Sequence, residues 1–269
     1  MLLQQAPIGI FDSGIGGLTV ARAIANLLPG ESILYVGDTA HLPYGEKSPE
    51  AVQHYALRIT TFLLNQSCKA LVIACNTASA LAYLQVARLV NGRIPVINVI
   101  DPIVAAVAAD AALHKVGIIG TRATIRSHVY DQKLKQLRPD IETVSLATAL
   151  LASMIEEGFY NNQVSRTIIE NYLRYPDFMD IDALILACTH YPLIRAEVEQ
   201  FFQHSVKVFD STGPVAQQLA QQLAMRRQLA PPGDANHRFY VTDYTESFEK
   251  TTQLFFGRAV HLEPLPLWD

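Results

Sequence analysis

The sequence predicts an α/β protein made of two related parallel-sheet domains that face one another across a cleft. Short apolar runs alternate with helical stretches almost throughout the 269 residues, the rhythm of parallel sheets covered by helices on both sides. Two of those runs are nearly the same sentence: Ala-Leu-Val-Ile-Ala-Cys at 70–75 and Ala-Leu-Ile-Leu-Ala-Cys at 183–188. Polar residues follow each, Asn76-Thr77 in one copy and Thr189-His190 in the other. An apolar run of that length, bounded by polar residues, reads as a buried parallel strand. No Ser/Gly-rich linker separates the halves, which predicts a compact interface. The expected division is 1–98 with 211–269 for the domain of Cys75 and 99–210 for the domain of Cys188, in a pseudo-twofold relation with the active site between them.

Taken in order, the chain opens with a strand at 8–11 running into a Gly-rich turn and a helix over 18–28. A strand at 33–36 leads into a polar loop and a helix over 49–65, with Ser48 as N-cap, Pro49 in the first turn and Glu50 at the positive end of the helix dipole. The first cysteine run predicts a strand at 71–74, then a helix over 78–89 capped by Asn76 or Thr77. Free N–H groups at that helix start would favour a thiolate on Cys75. Strands at 96–99, 116–119, 141–145, 184–187 and 206–209 follow, with helices over 102–112, 125–137, 167–174, 194–202 and 214–227. A last strand at 239–242 and a helix over 246–256 are expected to return to the first half.

Composition narrows the function. Half of the residues are apolar, 17% are charged, and the net charge is −4 with no basic block, so neither a disordered chain nor a nucleic-acid surface is expected. Residues 1–5 lack the basic start and apolar stretch of a signal peptide, and no run approaches the ~20 apolar residues of a membrane span. Three cysteines form neither a disulfide framework nor a C-x-x-C pair, which reads as a reduced, cytoplasmic protein. The expected partner is a small molecule rather than nucleic acid or membrane, and homodimerisation is left open.

Ligand chemistry in open α/β sheets sits just beyond the carboxyl ends of the strands. Three segments fall there besides the cysteines. Asp12-Ser13-Gly14-Ile15-Gly16-Gly17 lets backbone approach an anion, but Thr19 stands where a dinucleotide fingerprint needs glycine. Gly37-Asp38-Thr39-Ala40 opens a loop whose Gly45-Glu46-Lys47-Ser48 resembles a phosphate loop, yet Glu46 separates glycine from lysine and breaks the spacing. Pro43-Tyr44-Gly45 could present N–H groups to a carboxylate instead. His190, two residues past Cys188, could polarise that thiol or cap the next helix. No pair of Cys, His or Asp has zinc-like spacing, so no metal is expected. Cys68, in Gln-Ser-Cys-Lys, has no comparable context.

A lone cysteine is usually inert core, and one cysteine with one histidine suggests a covalent hydrolase. Two equivalent thiols suggest proton removal on one face of a carbon and delivery on the other. A thiol near its free pKa of about 8.5 needs only a modest shift to act as acid or base.

The residues also carry a resemblance. Asp-Ser-Gly-Ile-Gly-Gly-Leu (12–18), Gly-Asp-Thr-Ala (37–40) with Pro-Tyr-Gly-Glu-Lys-Ser (43–48), Ala-Cys-Asn-Thr-Ala-Ser-Ala (74–80) and Ala-Cys-Thr-His-Tyr-Pro-Leu (187–193) resemble the signature blocks of the glutamate racemases, in order and spacing, from about residue 8 to 212. The resemblance implies cofactor-independent interconversion of L- and D-glutamate, supplying D-glutamate for peptidoglycan. It implies that Cys75 takes the α-proton of D-glutamate and Cys188 that of L-glutamate, with Asp12 assisting the first and His190 the second. It places Asp12, Ser13, Pro43, Tyr44, Gly45, Asn76, Thr77, Thr189 and His190 at the substrate, and Glu156 near the second half of the site. Two positions depart from the pattern: Ser153 replaces a usual proline, and Asp101 stands where glutamate is commoner. The competing readings are an aspartate or hydantoin racemase, a Cys188–His190 hydrolase, and a binding module that closes on a dicarboxylate without chemistry.

Overall fold

The computed structural model describes residues 3–269 except 232 and 234, so Met1 and Leu2 of the leader reading lie outside it. Among the described residues ten strands form two sheets in which every pairing is parallel. The first sheet holds β1 (Ile8–Asp12), β2 (Ile33–Gly37), β3 (Ala70–Ile73), β4 (Val96–Asn98), β9 (Arg238–Val241) and β10 (Leu262–Pro264), in the order β10-β9-β2-β1-β3-β4. The second holds β5 (Lys115–Gly120), β6 (Glu142–Ala147), β7 (Ala183–Ala187) and β8 (Lys207–Phe209), in the order β6-β5-β7-β8. Within each sheet the first four strands along the chain are arranged second, first, third, fourth. The third strand of each set, β3 or β7, runs into a cysteine.

Residue alternation explains how the first sheet is covered. Phe11, Leu34, Val36, Leu71 and Ile73 face a core made with α2 (Pro49–Asn65) and α3 (Asn76–Val90). Ile8, Ile10, Ile33, Tyr35 and Val72 face the other way. There they meet α1 (Leu18–Leu27), α10 (Thr212–Met225) and α11 (Glu246–Phe256). That second core continues without a break into the second sheet, through Val116, Ile118, Leu184 and Leu186. The two sheets therefore share one apolar cluster, and the period-two pattern of strands buried on both faces is the sequence feature that builds it.

The nine expected strands all form, and the helices over 49–65 and 246–256 match as α2 and α11. The helix expected over 125–137 is two helices, α5 (Arg122–Arg126) and α6 (Val129–Leu137), broken where His128 takes a left-handed φ of 54°. The break lets α5 lie against the turn at Tyr44–Glu46 while α6 packs on α4 (Ile100–Ala108). The helix expected over 102–112 stops at Ala108, because the Asp110 carboxylate accepts from Ala112 N–H and closes a turn instead. A helix α7 (Ala149–Glu156) and the strand β10 were not expected. The remaining helices, α8 (Gln163–Leu173) and α9 (Arg195–Phe201), cover the second sheet. Among the described residues no helix is long and apolar enough to cross a membrane.

At the amino ends of the first sheet's strands, Lys69 and Glu31 form a buried ion pair at 2.5 Å. Lys69 Nζ also donates to the carbonyls of Gln4 and Gln228, and Glu31 Oε1 accepts from Ala230 N–H. One pair thus ties four separate segments together at the edge opposite the strand carboxyl ends.

Candidate active site

The carboxyl ends of β1, β2, β3, β5 and β7, with α7, converge on one narrow cavity of about 50 Å3. Its wall contains Ser13, Pro43, Tyr44, Gly45, Cys75, Asn76, Thr77, Glu156, Cys188, Thr189 and His190, eleven of the twelve positions expected from the sequence. The twelfth, Asp12, ends β1 and lies behind that wall, fully buried. Asp101 does not reach the cavity. Asn98 Nδ2 and Lys133 Nζ hold its carboxylate, each at 2.7 Å.

Cys75 is itself the N-cap of α3: its Sγ accepts from Ala78 N–H at 3.4 Å, a position the sequence reading assigned to Asn76 or Thr77. The thiol also donates toward Ser13 Oγ at 3.7 Å. The expected thiolate preference is corrected as well. Burial, followed by the charge of Asp12, pushes the Cys75 thiol up to about 12, and the Ala78 N–H and Ser13 offset only part of this. Asp12 is held by Gly14 N–H on Oδ2 at 3.1 Å, while its Oδ1 has no partner among the described residues. Burial raises the Asp12 carboxyl above its usual range, against the pull of His190 and the Gly17 and Gly14 N–H groups.

Across the cavity a second chain of groups forms. Cys188 Sγ lies 3.5 Å from His190 Nδ1, and His190 Nε2 lies 2.8 Å from Glu156 Oε1. Burial disfavours a charged imidazole there, yet the neighbouring Cys188 and Glu156 outweigh it and hold His190 well above its ordinary 6.5. His190 thus bridges Cys188 and Glu156 through its two ring nitrogens, and the Phe255 ring meets it edge-on at 5.2 Å. The geometry sets His190 between the Cys188 thiol and a carboxylate, and α7, missed in the sequence, is the element that supplies that carboxylate.

Close backbone approach shapes the remainder. A Cβ on Gly16 would overlap the His190 ring and come within 2.7 Å of Thr189 Oγ1, and one on Gly45 would sit 2.7 Å from Thr121 Cβ. Both glycines lie where the two halves meet. Asn76 Oδ1 accepts from Tyr130 Oη at 2.6 Å, leaving its Nδ2 without a partner among the described residues. Thr77, Thr121 and Thr124 share hydroxyl contacts at 2.9, 3.2 and 3.0 Å. Thr121 and Ser153 also line the cavity but were not singled out as contacts. Thr121 could have been found by the rule that placed the others, since it is the first polar residue after the strand run at 116–119. Among the described residues no group of three or more His, Cys, Asp or Glu could hold a metal. No lysine lines the cavity.

The chain matches a family model described as Asp/Glu/Hydantoin racemase over residues 8–219. A glutamate racemase of Syntrophus aciditrophicus is 42% identical over 255 residues, covering 94% of each chain. Among solved structures, a glutamate racemase of Francisella tularensis in complex with D-glutamate superposes with a TM-score of 0.93 at 39% identity, covering 98% of this chain and 99% of that one. The RacE1 isoform of glutamate racemase from Bacillus anthracis gives a TM-score of 0.90 at 34% identity, over 97% and 98% of the two chains.

Proposed function

The chain belongs to the Asp/Glu/hydantoin racemase family, and on that premise we propose that Cys75 and Cys188 are the acid and base that racemise glutamate in this cavity. The protein is a glutamate racemase by its relatives and by a near-identical fold solved with D-glutamate. The assignment of roles rests on one observation: each half of the molecule brings a single thiol to the same cavity, and each thiol has its own carboxylate nearby.

In the direction from D-glutamate, the Cys75 thiolate takes the α-proton and becomes a thiol. The Cys188 thiol gives its proton to the opposite face, forming L-glutamate and leaving a Cys188 thiolate. Atoms and charge balance, and solvent exchange restores the starting protonation. The α-proton is a very weak acid, so a Cys75 pushed up to about 12 is a stronger base than a free thiol once ionised. Asp12, 0% exposed behind it, helps keep it so. The His190 imidazolium stabilises the thiolate that forms on Cys188 and is itself oriented by Glu156. Charge building on the substrate carboxylate meets the donors of Ser13, Asn76, Thr77 and Thr189 in the narrow cavity. This chemistry asks for no cofactor.

The wider reading follows from the same premise. Residues 1–98 with 211–269 would form one domain and 99–210 the other, supported by which strands share a sheet. The enzyme would be cytoplasmic, act as a monomer or homodimer, and supply D-glutamate to peptidoglycan synthesis.

The test is turnover of pure enantiomers of glutamate and aspartate by wild type, Cys75→Ser and Cys188→Ser. The proposal expects glutamate turnover by wild type and a loss of at least about a thousandfold in each variant. Near wild-type racemisation of glutamate by Cys75→Ser would overturn the two-thiol assignment, absence of racemisation by wild type would return the site to a Cys188–His190 hydrolase or a binding module, and faster turnover of aspartate would change the substrate.

A further inference from the structure

Asp38 follows β2, is fully buried, and receives four donors on its carboxylate. Tyr44 Oη and His41 Nδ1 donate to Oδ2 at 2.6 and 3.1 Å. Thr242 Oγ1 and Trp268 Nε1 donate to Oδ1 at 2.8 and 2.9 Å, from 204 and 230 residues further along the chain. The first two donors belong to the turn whose Tyr44 and Gly45 wall the cavity. The last two belong to segments that do not touch the cavity at all.

Trp268 is the one with the most attachments. Its ring meets His41 edge-on at 4.6 Å and Tyr55 at 5.4 Å, and His41 in turn stacks on Tyr55 at 4.0 Å. The segment bearing it is anchored independently of the turn. Leu267 is buried, and its carbonyl accepts from Arg58 Nε and Nη2 on α2 at 3.4 and 3.3 Å. Leu265 N–H donates to Val241 O at 2.8 Å. The turn at 41–45, by contrast, belongs to no strand. Besides its short Tyr44–Glu46 helical turn, the packing of α5 and one backbone bond from His41 N–H to Asp38 O at 3.1 Å, it is held by the Tyr44 and His41 side chains, which meet at the Asp38 carboxylate.

We infer that Trp268 is a positioning residue for the reaction: through Asp38 it holds the 41–45 turn, and with it Tyr44 and Gly45, in the conformation that receives substrate. The inference rests on the reading of the cavity as a glutamate site. A binding wall already ordered by the fold spares the substrate the cost of ordering it, which appears in substrate affinity more than in chemistry. Trp268 does not line the cavity, so its effect passes through the Asp38 carboxylate, the His41 ring and Tyr55, which meets both Trp268 and Tyr44.

Trp268→Phe keeps an aromatic ring at the position and removes the N–H together with the pyrrole half of the indole. Loss of one donor to a buried carboxylate predicts a rise in KM of about tenfold for both enantiomers, with kcat changed less than about threefold. A merely structural role would reduce the amount of folded enzyme and lower kcat at unchanged KM. That outcome, or kinetics equal to wild type, overturns the inference. Trp268 is the single tryptophan of the chain, which gives a second readout should Trp268→Phe fold poorly. Arg58→Met loosens the segment and leaves the indole as reporter. By reciprocity, substrate that is favoured by the docked indole must favour docking in return. Saturating D-glutamate is expected to reduce acrylamide quenching of Trp268 emission in that variant, and equal quenching with and without D-glutamate contradicts the role. Absence of wild-type turnover would reject the glutamate reading and this role with it, whereas variants that behave as wild type reject this role alone.

Discussion

Asp12 shows how a single residue divides stability from catalysis at this site. It is fully buried with one oxygen unpartnered, and burial raises its carboxyl above the usual range. A folded value raised above the unfolded one means that the group favours folding at low pH and opposes it once ionised. Asp12→Asn removes that charge, so the melting temperature is expected to rise by about 2–4 °C at neutral pH. Racemisation is expected to fall by about a hundredfold or more, because Cys75 loses its carboxylate neighbour. Calorimetry with a racemisation assay checks both signs. Cys75 gives a second expectation. With the thiol pushed up to about 12, its thiolate fraction grows about tenfold per pH unit through the neutral range. The kcat/KM for D-glutamate should therefore climb steeply from pH 6 to 8 rather than level off. His190 has the same sign of pH dependence as Asp12: raised above 6.5, its pairing contributes stability that is complete below that value and lost as pH rises through the folded one. The stability gap between wild type and Glu156→Gln is accordingly expected to narrow at alkaline pH, as read from denaturant midpoints.

The helices show where local sequence suffices and where it does not. Ser48-Pro49-Glu50 carries its start signals within three residues, and α2 begins at Pro49 as those signals require, with Ser48 Oγ accepting from Ala51 N–H. The cysteine runs were legible for the same reason: an apolar strand followed by polar residues is a local pattern, so both thiols and their neighbours could be placed. The break at His128 was not legible, because nothing in Ser127-His128-Val129 forbids helix. It is imposed by two packing partners, the Tyr44–Glu46 turn and α4, that pull α5 and α6 apart. Left-handed backbone costs a non-glycine residue about 1 kcal/mol. His128→Gly is therefore expected to stabilise the fold by up to that amount and leave turnover unchanged, as measured by denaturant unfolding. The cap of α3 was misplaced by one or two residues since cysteine is not an ordinary capping residue. Its Sγ takes that place because β3 delivers it against the free N–H groups of the helix.

At the scale of the molecule, the fold separates what holds it together from what it does. The Lys69–Glu31 pair ties four segments at the amino ends of the strands, while the cavity lies at the carboxyl ends. Lys69→Met leaves a buried carboxylate unpaired and is expected to cost about 3–5 kcal/mol, lowering the melting temperature by roughly 10 °C. Turnover per folded molecule at 25 °C should stay near wild type. The repeated strand order brings one thiol from each half to one cavity, and that arrangement is the central claim. It is tested most directly by the first moments of the reaction in deuterated water, started separately from D- and L-glutamate. With two bases on opposite faces, product molecules carry deuterium at the α-carbon from the outset while unreacted substrate keeps its hydrogen. Early deuterium in the recovered substrate at a rate matching or exceeding its appearance in product, from both starting enantiomers, would mean a single group serving both faces and would contradict the account.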